Sequence, residues 1–361
     1  MIVSGGGSAE RSGLLSVVRQ SLVHAGIDFV EQKGIQPNPR DIEVYEGIEL
    51  ARREGVDFLL AVGGGSVIDS TKGVALGVKY EGDFWDFYSN KATPRDGEVL
   101  PLGVVLTIPA AGSEGSGNSV VTKCDETGRH KISVRYPMHL RPRFAVMNPE
   151  LTYSLPWFQT ACGIVDMLCH IYERYFSNTP ATDLPDGIAE AIMRDVMHNA
   201  LILKNDPNNY DARASVMWAS TLAHNGLCGT GKVEDWSSHR LEHELSAWYD
   251  VAHGAGLAVM FPAWLEFVAK KNPGKVVQYA TNVLNIFPIN KTTEEVCHLA
   301  VEAQKGFYHT LGLPTNIHDL IGKDPDIDTL VESLHGNIGD TLGNYVPLSM
   351  ADCRAIYEIA K

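Results

Sequence analysis

The chain has 361 residues, 44% of them apolar and 20% charged, the balance of a globular protein long enough for two domains. Its net charge of −14 argues against a nucleic-acid partner and against anionic membrane surfaces, both of which need a basic face. No apolar run reaches the roughly 18 residues of a spanning helix, the first residues lack the regions of a secretory leader, and six cysteines without a Cys-x-x-Cys pair read as reduced thiols of a cytoplasmic protein.

The first turn signal is Gly5-Gly6-Gly7-Ser8. Val56–Val62 reads as a buried strand, followed by Gly63-Gly64-Gly65-Ser66 and a helical stretch to about Lys79. Leu102–Ile108 and Phe144–Met147 read as further strands. Strands alternating with helices imply a parallel sheet covered on both faces. Near residue 150 the strand signals fade, and Tyr153-Ser154-Leu155-Pro156 is a plausible junction. Beyond it, three- and four-residue apolar spacing predicts helices over Thr160–Phe176, Leu184–Leu203, Ala212–Cys228, Trp236–Trp248, Gly254–Lys270 and Thr293–Leu311. The expected organisation is an α/β domain over residues 1–152 and an all-α domain over residues 153–361.

Three glycines after a strand let a backbone approach a ligand closely, and the following helix N-terminus offers free N–H groups to a pyrophosphate. Ser66 reads as the N-cap of that helix, with Asp69 three residues on in a capping-box pattern. The polar loop Thr107–Gly117 follows a third strand. Each cluster alone reads equally well as a tight turn. Together, after consecutive parallel strands, they would line the carboxyl edge of one sheet, where open α/β sheets bind ligands.

Asp166 and His170 stand four residues apart and share a helix face, as do His239 and His243. His253 follows just before Gly254. Carboxylate and imidazole donors suit Fe²⁺ or Zn²⁺; a solvated helix face or a satisfied core pair is the competing reading. The other histidines, His24, His130, His139, His198, His224, His298, His309, His318 and His335, lack such partners in sequence and default to surface or structural roles.

The stretches Gln36-Pro37-Asn38-Pro39, Gly63 to Lys72, Thr107-Ile108-Pro109, Asp166-x-x-x-His170, and His239-x-x-x-His243 with His253 together resemble the iron-containing (type III) alcohol dehydrogenases, in particular their butanol dehydrogenase and aldehyde reductase branch. The resemblance implies a dehydroquinate synthase-like dinucleotide-binding domain, an all-helical metal-binding domain and an active site in the cleft between them. It implies Asp166, His170, His239 and His253 as metal ligands, and His243 as a catalytic residue near the nicotinamide that relays a proton. Gly6, Gly7, Ser8, Gly64, Gly65, Ser66, Asp69, Thr107, Ser113 and Lys131 are the implied cofactor contacts.

The expected reaction is hydride transfer between NADP(H) and small primary alcohols or aldehydes in a homodimer. NADP(H) is favoured over NAD(H) because Ser4 to Ser8 holds no acid to repel a 2′-phosphate. Two rivals are an NAD- and zinc-dependent enzyme of the dehydroquinate synthase or glycerol dehydrogenase kind, and a metallohydrolase that would need no glycine loops. A non-catalytic cofactor-binding remnant is a third. The chain differs from the family pattern at Ala111, where a hydroxyl residue is common, and at Asn148, which replaces an aspartate. It opens at what resembles the family's second sheet strand, so an exposed sheet edge is expected.

Overall fold

Short runs rich in Val, Ile and Leu build the first half of the protein. The computed structural model describes residues 1–126 and 128–361 and divides into two units, Met1–Leu155 and Pro156–Lys361. In the first unit the strands are β1 (Ile2–Gly5), β2 (Glu31–Ile35), β3 (Leu59–Gly63), β4 (Leu102–Leu106), β5 (Asn118–Asp125), β6 (Gly128–Arg135) and β7 (Ala145–Val146). The helices are α1 (Ser8–Arg11), α2 (Leu14–His24), α3 (Asp41–Arg53), α4 (Gly65–Gly77), α5 (Trp85–Tyr88) and α6 (Pro137–Leu140).

Five strands form one sheet in the order β2-β1-β3-β4-β7, with every neighbouring pair parallel. β4 is buried along its whole length, as an uninterrupted apolar run predicts for a sheet covered on both faces. Helices α3 and α4 approach closely: a Cβ at Gly77 would lie 2.2 Å from Ile48 Cδ1. The direction of winding reverses between β1 and β3, and in open α/β sheets such a switch point is where ligands bind, at the carboxyl ends of the strands. Both strands end there in glycine loops.

The hairpin of β5 and β6 is not among the strands expected from sequence. Its two strands are mostly polar, with few apolar residues, among them Val121 and Val134 turned inward, so no continuous apolar run marks it. β7 pairs over two residues only, shorter than the apolar run containing it.

The second unit contains α7 (Trp157–Tyr175), α8 (Asp183–Asn205), α9 (Tyr210–His224), α10 (Ser237–Tyr249), α11 (His253–Lys271), α12 (Gly274–Asn282), α13 (Thr293–Leu311), α14 (Ile317–Ile321), α15 (Ile327–Ile338) and α16 (Met350–Ala360), with a two-strand ribbon of β8 (Thr341–Leu342) and β9 (Leu348–Ser349). α7 is buried on all sides from Thr160 to Tyr175 and is the central element. Tyr172 of α7 stacks on Phe261 of α11 at 4.0 Å, a contact worth about 0.5–1.5 kcal/mol beyond its buried area. α13 has the expected bounds because Thr292 and Glu295 form a capping box and Gly312, at φ 83°, ends the helix. α9 stops at His224, short of the expected Cys228, because Gly226 takes φ 104° and turns the chain into a 3₁₀ segment. Among the described residues, no helix is long and apolar enough to cross a membrane.

Candidate metal centre and nucleotide loops

Three helices bring the acid–histidine constellation together. Asp166 and His170 face one way from consecutive turns of α7, with His170 Nδ1 2.9 Å from Asp166 Oδ1. His239 comes from α10, and His253 is the first residue of α11. The Nε2 atoms of His239 and His253 each lie 3.8 Å from Asp166 Oδ1. Ligand atoms of Asp166, His170 and His239 lie within 4.8 Å of one another. The start of α11 is seated directly on α7: a Cβ at Gly254 would fall 2.1 Å from the Cys162 carbonyl oxygen. Glycine at that position lets His253 come beside Asp166.

Each imidazole is aimed through its other nitrogen. His170 Nδ1 is 2.9 Å from the Asp166 carbonyl oxygen, His239 Nδ1 is 2.8 Å from Glu173 Oε1, and His253 Nδ1 bonds Glu242 Oε2. Such contacts fix the tautomer and leave Nε2 for an ion. Ser238 Oγ and the His239 N–H also donate to Glu173 Oε1, at 2.6 and 3.0 Å. A Cβ at Gly256 would lie 2.5 Å from Glu242 Oε1, so glycine makes room for that carboxylate.

Apart from the ion-pair contact of Asp166 Oδ1 with His170, Asp166 Oδ1 and His239 Nε2 are buried without a hydrogen-bond partner. Leaving such atoms unsatisfied is costly, and a cation between them removes the cost. One carboxylate and three imidazoles match the donor preference of Fe²⁺ or Zn²⁺, so the residues fit such an ion. Electrostatics agree. Burial pushes the Asp166 carboxyl up, but His170, His239 and His253 outweigh it and hold the group well below the usual carboxylate range. Burial likewise opposes ionisation of Glu173, and His239 and Ser238 outweigh it. His170 is pushed down by burial. For His239, burial lowers the pKa but Asp166 and Glu173 together carry it up to about 8.

His243 sits one turn along α10 from His239, buried, with its ring 5.6 Å from that of His253. Its ligand atom groups with those of Glu242 and His253. Four neighbours of the centre were not singled out by sequence: Glu173, Glu242, His224 and Trp236. Both glutamates carried a signal, each standing three residues after a histidine of the constellation on the same helix. His224, expected to be a surface or structural residue, is buried with its ring 4.2 Å from His170.

In the first unit, three loops meet at the carboxyl edge of the sheet. Gly64, not Ser66, is the N-cap of α4, and no side chain caps it. The first intrahelical bond runs from Ile68 N to Gly64 O, so the N–H groups of Gly65, Ser66 and Val67 have no intrahelical acceptor. Gly64 packs on the next loop, where its Cβ would lie 3.0 Å from Ile108, and Gly65 is open apart from Ala111 at 3.9 Å. Thr107 N–H donates to the Gly63 carbonyl, at 3.1 Å. Of the first cluster, Gly6 has nothing within 4 Å of its Cβ position, Gly7 takes φ 105°, and Ser8 begins α1. Arg11 Nη1 lies 3.0 Å from the Cβ position of Gly7.

Asp69 does not complete a capping box. Its carboxylate accepts from Ser113 Oγ at 2.6 Å and from Val120 N–H at 3.0 Å. Lys72, fully buried, donates to Ser113 O, Ser113 Oγ and Asn118 O at 2.7, 2.8 and 2.6 Å. Asp69 and Ser113 thus bond each other and bolt the Thr107–Gly117 loop and the hairpin to α4. Lys131, on β6, donates to Asn38 Oδ1 at 3.1 Å. Asn148 caps a 3₁₀ turn through Glu150 N–H, at 3.1 Å.

Comparison with known proteins identifies the family. Residues 1–149 match the family described as iron-containing alcohol dehydrogenase, and residues 160–360 match its C-terminal domain family. NADH-dependent butanol dehydrogenase A of Clostridium acetobutylicum is 38% identical, over 99% of this chain and 91% of that protein. NADPH-dependent aldehyde reductase YqhD of Escherichia coli is 35% identical, over 100% and 92%. The crystal structure of NADH-dependent butanol dehydrogenase A from Thermotoga maritima superposes with a TM-score of 0.93 at 37% identity, covering 99% of this chain and 90% of that one. With both halves matched in order and relatives aligned along nearly its full length, the chain belongs to the iron-containing alcohol dehydrogenase family.

Proposed function

We propose that the protein transfers hydride reversibly between NADP(H) and small primary alcohols or aldehydes, with Fe²⁺ or Zn²⁺ held by Asp166, His170, His239 and His253. The observation that carries this reading is the pair of imidazole Nε2 atoms, from two helices, each 3.8 Å from Asp166 Oδ1. When bound, the ion supplies Lewis-acid polarisation of a substrate oxygen. The nicotinamide supplies or takes the hydride.

The chain's own residues do the rest. Glu173 and Glu242 hold His239 and His253 in one tautomer. His243, beside His253, accepts or returns the substrate's hydroxyl proton. The N–H groups of Gly65 and Ser66 at the start of α4 receive a pyrophosphate, together with the open backbone of Gly6 and the left-handed Gly7 beside Arg11. Thr107 and Lys131 complete the cofactor contacts, while Asp69 and Ser113 act by holding the third loop in place.

Preference for NADP(H) rests on the first glycine cluster. No acidic side chain lies between Ser4 and Ser8, and the Arg11 guanidinium stands beside Gly7. The acid that follows, Glu10, is taken by Arg19 through two bonds of 2.8 and 2.5 Å. The named relatives include both NADH- and NADPH-dependent enzymes, and the reading rests on this feature of the chain itself. All six cysteines are free thiols, in keeping with action in the cytoplasm, and a homodimer is expected by kinship.

The test is oxidation of NADPH and of NADH by butyraldehyde, followed at 340 nm, with metal analysis of the purified protein and size-exclusion chromatography with light scattering. Turnover dependent on bound Fe²⁺ or Zn²⁺ supports the proposal. Full activity after chelation, or none with any aldehyde when loaded, overturns it.

A further inference from the structure

Trp236 immediately precedes α10 in a left-handed conformation, φ 69° and ψ 12°. Bulky residues rarely adopt that region, and it persists only where the surroundings over-determine it. The flanking residues are pinned on both sides. Asp235 N–H donates to the Glu173 carbonyl at 2.8 Å, and the Asp235 carboxylate accepts from Ser237, Asn344 and Tyr345 N–H groups at 3.1, 2.7 and 2.7 Å. Ser238 and His239 are tied to Glu173 Oε1.

The consequence of this turn is the position of the indole. Its ring centroid lies 5.2 Å from that of His239 and 5.8 Å from that of His170, at interplanar angles of 68° and 81°. It thus stands edge-on to two imidazoles from two helices. The indole is itself held from two sides. Its Nε1–H donates to Glu234 Oε2 at 2.7 Å, and the Arg174 guanidinium lies over its face at 4.8 Å. Arg174 also donates from Nη1 to the His170 carbonyl at 2.6 Å, so one side chain ties the indole to the helix that carries His170. Asp166, His170 and His239 are buried, whereas Trp236 and His253 are partly exposed. Trp236 is therefore an outer wall of the centre.

We infer that Trp236 is a positioning residue for the metal centre: its clamped indole fixes the ring planes of His170 and His239 and shields the ion's position from water. The inference rests on the metal reading of the preceding section. Aromatic edge contacts restrict imidazole rotation, which the bonds to Asp166 and Glu173 set about one axis only. A wall of this kind affects ion affinity and release rate without supplying a ligand atom.

The experiment uses the full-length protein, stripped with chelator and reloaded with Co²⁺. Dissociation constants come from competition with a chromogenic chelator, release rates from transfer to excess chelator, and ligand geometry from the Co²⁺ visible bands. Trp236→Leu is expected to raise the Co²⁺ Kd about 10-fold, to speed release and to shift the bands, an effect of the size seen when a ligand's supporting partner is lost. Trp236→Phe keeps a flat ring and is expected to stay within about 3-fold of wild type. A Trp236→Leu protein that is folded by circular dichroism yet has wild-type Kd and bands overturns the inference. If that variant does not fold, Glu234→Gln decides. It weakens the hold on the indole N–H far from the ligand atoms, and unchanged release and bands overturn the inference. Failure of the wild type to bind Co²⁺ would instead overturn the metal reading.

Discussion

Glu173 Oε1 lies 2.8 Å from His239 Nδ1, and this contact directs Nε2 of that histidine at Asp166. The same oxygen accepts from Ser238 Oγ and the His239 N–H. One buried carboxylate on α7 thereby holds both the start of α10 and the ring of the histidine that faces Asp166.

Glu173→Gln keeps the size and loses the charge. Zinc affinity is expected to fall about 10- to 100-fold. Competition with a chromogenic chelator measures it, and a Kd equal to wild type would show that Glu173 only packs.

Gly254→Ala places a methyl where the Cys162 carbonyl oxygen is 2.1 Å away. The start of α11 must then move from α7 and carry His253 from Asp166. Overpacking of this kind costs about 1–3 kcal/mol. Urea unfolding of the metal-free protein reads the stability, and metal content after dialysis reads the site; loss of neither would contradict the close seating of the two helices.

Gly6→Asp tests cofactor choice. Gly6 has open space around its Cβ position and no left-handed backbone, so the substitution is expected to fold normally. Gly5 is a poorer site, since its Cβ would lie 3.3 Å from the Ile35 carbonyl oxygen. The ratio of kcat/KM for NADPH over NADH is expected to fall about 10-fold or more through repulsion of the 2′-phosphate. An unchanged ratio sinks the NADP assignment.

Lys72 gives a pH dependence with a definite sign. Burial, partly offset by Asp69 and Glu114, lowers its pKa from 10.5 to about 8. Between those values the unfolded chain binds the extra proton, so stability rises with pH from about 8 to 10.5. Below about 8 both states are protonated and the cost of the buried charge is fully present. Lys72→Met is expected to remove this alkaline gain, seen in urea unfolding across the range. It also strips three hydrogen bonds from the Ser113 loop, and cofactor affinity, read by NADPH fluorescence, is expected to weaken.

The main sheet and the large helices were legible because their signals are local. β4 is an unbroken apolar run, and α13 is bracketed by Thr292, Glu295 and Gly312. The β5–β6 hairpin was not, since its strands are mostly polar and resemble a polar loop. Ser66 and Asp69 have capping-box spacing, but the helix begins two residues too early for Ser66 to cap it and the carboxylate is claimed from another loop. Asp166, His170, His239 and His253 were nameable from spacing and kinship. Glu173 and Glu242 stand at helical spacing too, yet a glutamate at such spacing reads as surface charge until its burial is known. Trp236 was visible only as an aromatic residue near the histidines at the start of an expected helix, because its placement depends on a backbone angle.

The seating of α11 on α7 at Gly254 has a thermodynamic consequence. Asp166 and His170, His239, and His253 come from three separate helices, so an ion bound there acts as a reversible cross-link among α7, α10 and α11. The unfolded chain holds no such cage. With the proposed ion in place, the cooperativity of the helical unit would be coupled to the free concentration of a trace element, and scarcity of that element would lower the abundance of folded protein as well as its activity.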